Sequence, residues 1–298
     1  MATTSLKLIV EYDGSRYNGF QRQTSNAERP SKRPRYDDEG RKKGVPCTIQ
    51  DCLEEAFLQW KTDTTLESLR LRFAGRTDKG VHARGQVIAV DLQVDEDEWE
   101  IVKAINSRLP FDVSVKSVKL CSPTLEPRQA CTNKQYTYTI RFRRLKMDEQ
   151  GQLLPICRKG GPHSVRAAHD APCLWLCPWA LDDSLIPSLC QKLTGDHDYS
   201  AFIHRSDRLT RDNVKKLTKF DLEIVSETSE AVPAVTARFR LEARGFGRSM
   251  VRNLVGFVVD VSRGNVDASE VEQMWTAAKA DLVNAAPASG LCLEQVWF

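Results

Sequence analysis

The chain has 298 residues, of which 41% are hydrophobic and 28% charged: enough to bury one large or two ordinary cores, and too apolar for a disordered polymer. Its net charge of +3 is only mildly basic, and its longest largely apolar run, 254–261, is far shorter than a membrane span. The nine cysteines are irregularly spaced, with Cys173-x-x-x-Cys177 the nearest pair, so the composition points to free thiols in a reducing compartment rather than a disulfide framework or a zinc site.

Met1 to Ser5 lead directly into a strand expected at 6–14, without the apolar core of a signal peptide or the length of a transit peptide. An intracellular protein is expected, in nucleus or cytoplasm, with organelle import left open. Residues 24–46 follow, with no apolar period and two basic clusters. Such a flexible insertion reads as a solvated loop, a nuclear-import signal or an arm that touches RNA phosphates. A helix is expected at 48–62, with Thr48 as its cap and Ile49, Cys52, Leu53, Ala56, Phe57 and Trp60 on one face. Strands at 69–75 and 85–92, a helix at 96–109 and a strand at 113–121 complete a strand–helix–strand–strand–helix–strand order, that of a ferredoxin-like or RNA-recognition-like unit. After Pro123 and Pro127 a looser second version begins. It comprises a strand at 134–143, an irregular stretch at 145–178 and a helix at 182–194. Strands at 219–228 and 234–244, helices at 249–262 and 268–280 and a closing strand at 291–298 follow. The division expected is therefore 1–122 and 123–298. Lysine and arginine cluster at 29–43, 70–84, 141–146 and 205–219, and acids around 95–100.

Between the expected strands at 69–75 and 85–92 lies Gly75-Arg76-Thr77-Asp78-Lys79-Gly80-Val81-His82-Ala83. Asp78 is a lone carboxylate between two cations on a loop anchored by strands, where rigid scaffolds carry catalytic groups. Taken locally, the same residues also make an ordinary charged turn. The segment resembles the catalytic motif Gly-Arg-Thr-Asp-x-Gly-Val-His-Ala of the TruA family of tRNA pseudouridine synthases, with every fixed position present. Glu11 to Tyr17 and Gly19-Phe20-Gln21-Arg22-Gln23 resemble that family's first strand and loop, with Phe20 where the family usually has Trp. Further resemblances follow in the family's order: Arg128 with Lys134-x-Tyr136-x-Tyr138, Gly195 to Phe202, Met250 to Gly256, and Gly290 to Leu293.

The resemblance implies an isomerase that converts uridine to pseudouridine in the anticodon stem-loop of tRNA, at positions 38–40, without cofactor or metal. It also implies a homodimer and no membrane association. It assigns the chemistry to Asp78, insertion into the RNA to Arg76, stacking under the flipped uracil to Tyr136, and an ion pair with Asp78 to Arg252. Attack on C1′, action as a base on the sugar and addition to the ring all remain open for Asp78. Weaker candidates for RNA contact are Arg22, Arg84, Lys134 and Arg248, and Leu291 or Leu293 is expected to line the pocket. His82 is read as a histidine that fixes the loop. The fold implied is α+β, with two ferredoxin-like or RRM-like halves in pseudo-two-fold symmetry, a shared antiparallel sheet and a central RNA-binding cleft. Two rivals stand beside this reading: a related synthase with another RNA target, and a catalytically silent RNA-binding module.

Overall fold

The computed structural model describes residues 5–22, 48–145, 173–209, 212–228, 234–275 and 281–298. The basic insertion at 24–46 and residues 146–172 of the irregular stretch at 145–178 lie outside these residues. The chain divides into two compact units, Met1–Thr132 with Leu293–Phe298, and Asn133–Cys292. Each combines helices with strands of one ten-stranded sheet, most of the pairings antiparallel, so the fold is α+β.

In the first unit, strand β1 (Ser5–Tyr12) turns Leu6, Leu8, Val10 and Tyr12 inward, as period-two alternation requires. It pairs antiparallel with β3 (His82–Asp91) and β4 (Val113–Cys121), while β2 (Arg72–Phe73) and β10 (Leu291–Trp297) also neighbour β3. Helix α1 (Ile49–Trp60) starts at a reciprocal capping box between Thr48 and Asp51 and buries Ile49, Cys52, Leu53, Ala56 and Phe57. Asp97 and Glu100 cap α3 (Glu98–Asn106) in the same way, and α1 and α3 pack together.

The strand expected at 69–75 is the main correction. A Thr65–Ser68 capping box nucleates a short helix, α2 (Leu66–Leu69), and Arg70 leaves it in the left-handed region at φ 41°. Only Arg72 and Phe73 are extended. Arg70, exposed, and Arg72, buried, both pair with Asp91, at 2.7 and 2.8 Å. A further short helix, α4 (Pro127–Ala130), precedes the second unit.

In the second unit, β5 (Asn133–Arg144), β9 (Val235–Ala243), β8 (Val214–Glu227) and β7 (Gly195–Asp198) run antiparallel in that order. Strand β6 (Trp175–Leu181) adds to β5 in parallel, so the end of the stretch expected to be irregular is in fact ordered sheet. Tyr136, Tyr138, Ile140 and Phe142 are all buried on β5, consistent with their alternation. Helix α5 (Ile186–Leu193) begins later than expected because Asp182 bonds Ser184 in a turn and Pro187 occupies the first helical turn. It packs against α6 (Met250–Ser262), which is buried almost throughout. Of the helix expected at 268–280, Ala268–Trp275 is a 3-10 helix, opened by an i to i+3 bond from Glu270 N–H to Asp267 O, and 276–280 lie outside the described residues. No helix among the described residues is long and apolar enough to cross a membrane.

Candidate active site

Asp78 lies on the connection from β2 to β3, and the loop after β1 holds that connection in place. Gly19 approaches the chain at Thr77–Lys79 so closely that a Cβ on it would lie 2.7 Å from Thr77 O, and its φ of +88° suits glycine alone. Phe20 N–H donates to Thr77 O at 3.1 Å, and the Tyr12 hydroxyl pairs with Thr77 Oγ1 at 2.8 Å. The buried ring of Phe20 packs on Phe73 at 4.8 Å between centroids, just upstream of the motif. On the downstream side, Val81 N–H donates to Asp78 O, and buried His82 accepts the Gly14 N–H at Nδ1. Gln86 on β3 donates to Gly75 O at 2.7 Å. Backbone and side-chain bonds therefore fix the loop on both sides of Asp78, which is itself half-buried, while Arg76 and Lys79 are exposed.

The other first-unit candidates are spread more widely. Arg22 sits against α1, with Nε 2.7 Å from Asp51 and its guanidinium also on Glu54. Burial would raise the Asp51 carboxyl, but its bonds to Arg22 and Thr48 carry it below the usual carboxylate range. Arg22 lines a shallow depression of about 350 Å³ with Asp51, Glu54 and Glu55, acidic surroundings that disfavour a phosphate. Arg84 on β3 is exposed and pairs with Glu294 on β10 at 3.0 Å. Leu293 is wholly buried.

In the second unit, Lys134 and Tyr136 share β5, and both are buried. The ring of Tyr136 meets Phe246 edge-on at 5.1 Å. Sequence reading passed over Phe246, whose one signal is its place between Gly245 and Gly247 at the strand-to-helix turn. Arg248 is exposed on that turn, and its carbonyl accepts the His204 N–H. Arg252 stands in the first turn of α6 and donates from Nε to Ala286 O at 2.7 Å. Burial pushes the nearby Tyr138 hydroxyl well above its ordinary range, with Arg252 acting in the opposite direction. Leu291 is buried at the start of β10.

A model of the family described as tRNA pseudouridine synthase matches residues 189–298. The tRNA pseudouridine synthase A of Solidesulfovibrio magneticus is 30% identical over 302 residues, covering 98% of this chain and 90% of that protein. The chain belongs to the tRNA pseudouridine synthase A (TruA) family. The Methylobacterium sp. member is 30% identical over 292 residues, covering 97% of this chain and 96% of its own. The tRNA pseudouridine synthase A of Thermodesulfovibrio yellowstonii is 27% identical over 296 residues, at 98% of both chains. Family membership therefore extends across both units and includes the Asp78 loop.

Proposed function

We propose that the protein is a tRNA pseudouridine synthase that isomerises uridine to pseudouridine in the anticodon stem-loop, with Asp78 as its catalytic carboxylate. The observation that carries this reading is the Gly75–Ala83 loop, which matches the family motif and is braced on both sides of Asp78 by Tyr12, Gly19, Phe20 and His82. Isomerisation breaks the N1–C1′ bond, turns the uracil and joins C5 to C1′. No electrons or phosphate energy are exchanged, so a carboxylate, positioning groups and a way into the RNA stem suffice.

Asp78 acts as nucleophile or base, and Arg252 keeps it ionised by pairing with it, since an adjacent guanidinium favours the charged form. The uracil must leave its stack, at a cost of a few kcal/mol. Arg76, exposed on the same loop as Asp78, enters the RNA to hold the vacated position. Tyr136 stacks under the flipped uracil, an interaction worth about 1–3 kcal/mol. Because Tyr136 is only 7% exposed, its ring face must be uncovered as the base enters. Arg84 and Arg248 touch the phosphate backbone. The reading carries with it a pseudo-two-fold pair of halves and a homodimer that shares the tRNA.

The test is to map pseudouridines in tRNA from cells with and without this gene, then with Asp78→Ala supplied in its place. Loss of anticodon-arm pseudouridine in both deficient strains is expected. Modification that survives Asp78→Ala removes Asp78 from its role, and activity confined to other RNA sites removes the substrate assignment.

A further inference from the structure

Arg252, Gly256 and Asp260 recur every four residues on α6, so they line one stripe of the helix, successive members about 6 Å apart along its axis. Residues 284–287 run along that stripe in the opposite direction. Asn284 donates from Nδ2 to Asp260 Oδ2 at 2.9 Å. Its carbonyl oxygen lies so close to Gly256 that a Cβ on that residue would fall 1.8 Å away. Ala286 then exchanges two bonds with Arg252: its N–H donates to Arg252 O at 3.0 Å, and its carbonyl accepts from Arg252 Nε at 2.7 Å. Pro287 O accepts the Tyr138 hydroxyl at 2.8 Å. Two residues of extended chain span about 7 Å, close to the rise of one four-residue step of the helix, so strap and stripe keep in register.

The far end of the strap is anchored on a buried carboxylate. Asp260 is 3% exposed, and its Oδ1 accepts from Arg263 Nε at 2.6 Å. The Arg263 guanidinium lies 4.1 Å from the centre of the Trp179 ring. Arg263 and Asn284 thus divide the two carboxylate oxygens between them, as a buried charge requires. Asn284 itself is exposed, so its side chain contributes a single bond rather than core packing.

We propose that Asn284 is a positioning residue for the isomerisation: by pinning the strap to Asp260 it holds Ala286, and Ala286 fixes the base of the Arg252 guanidinium. The inference rests on the reading of Arg252 as the partner of Asp78. A guanidinium whose Nε is held by a backbone carbonyl presents its terminal nitrogens in one plane, which a swinging side chain does not. Gly256 belongs to the same device, because any side chain there would lift the strap away from the helix.

The experiment measures single-turnover pseudouridine formation on full-length tRNA at saturating enzyme, alongside tRNA binding, thermal melting and hydrogen exchange at Ala286. Asn284→Ala should lower the single-turnover rate by about ten- to a hundredfold, the scale of a displaced positioning group. Its tRNA affinity should stay within about twofold, the signature of an interaction made only in the transition state. The Ala286 amide should exchange faster. An unchanged rate, or a rate loss matched by an equal loss of affinity, would overturn the proposal. The double exchange Asp260→Asn with Asn284→Asp rebuilds an amide-to-carboxylate bond and should recover most of the rate; no recovery in a protein that melts like the wild type would also overturn it. Asp78→Asn in the same assay separates the two levels. An active Asp78→Asn protein sinks the functional reading, whereas an inactive one beside a fully active Asn284→Ala sinks only the strap.

Discussion

Replacing Gly19 with alanine tests whether the loop after β1 positions Asp78 or merely passes it. The backbone at Gly19 has φ +88°, and forcing an L-residue into left-handed conformation costs roughly 1–2 kcal/mol. The new Cβ would also stand 2.7 Å from Thr77 O, inside the 3.4 Å at which ordinary contact begins. The chain at Thr77 and Asp78 must therefore retreat by several tenths of an ångström, and the adjacent Phe20 N–H bond to Thr77 O must lengthen from 3.1 Å. Domains of this kind hold about 5–15 kcal/mol of stability, so Gly19→Ala should still fold after losing about 1–3 kcal/mol. Turnover should suffer more, because a catalytic group displaced by about an ångström loses on the order of a hundredfold in rate. Urea unfolding and single-turnover kinetics in one buffer would give both numbers, with tRNA affinity as the control. A variant that loses the expected stability yet keeps full turnover would refute the view that this contact sets the position of Asp78.

Asp91→Ala should destabilise the protein by about 3–5 kcal/mol in denaturant titrations, since it removes the paired carboxylate from the buried guanidinium of Arg72 and leaves it Leu125 O, Arg70 O and the more distant, half-exposed Glu126; a loss under about 1 kcal/mol, the range of exposed pairs, would contradict this. The pH dependence follows the same pair. Burial alone would raise the Asp91 carboxyl, but bonds from Arg72 and Ser5 and the charges of Arg72 and Arg70 bring it below its ordinary value. Its contribution is therefore complete above about pH 4 and is lost as pH falls through the lowered folded value, so Asp91→Asn should flatten the acid limb of the stability curve. An acid limb unchanged in Asp91→Asn would count against the pairing. Tyr136→Ala should reduce turnover far more than tRNA affinity, because stacking acts on the flipped base; normal turnover with a large loss of binding would remove the stacking role.

Much of the α+β pattern was legible because local signals and tertiary demands agree. Thr48 marks the start of α1, and the alternation of Tyr136, Tyr138, Ile140 and Phe142 marks β5. The reading failed where two local signals competed. Leu69 to Phe73 alternates like a strand, yet the Thr65–Ser68 capping box makes a helical turn of its first residue. Strand β6 was hidden because Trp175 to Leu181 has no clean alternation and contains Pro178, which a strand at the margin of a sheet tolerates. At the site, Asp78 stood out as a lone carboxylate among glycines and cations. Its supports were unreadable, because Tyr12 and Gly19 reach it across some sixty positions and nothing local marks them as its neighbours. The Ala286 carbonyl on Arg252 carries no side-chain signature at all.

The most direct measurement uses the hydrogen that the reaction must expel. Joining C5 of uracil to C1′ displaces the C5 hydrogen, so tRNA carrying tritium at uridine C5 releases it to water in proportion to pseudouridine formed. With purified protein and anticodon-arm substrate, the wild-type chain should release tritium in step with the number of target uridines, and Asp78→Asn, folded and still binding tRNA, should release none above background. Tritium release by the Asp78→Asn protein at a rate near that of the wild type would contradict the account.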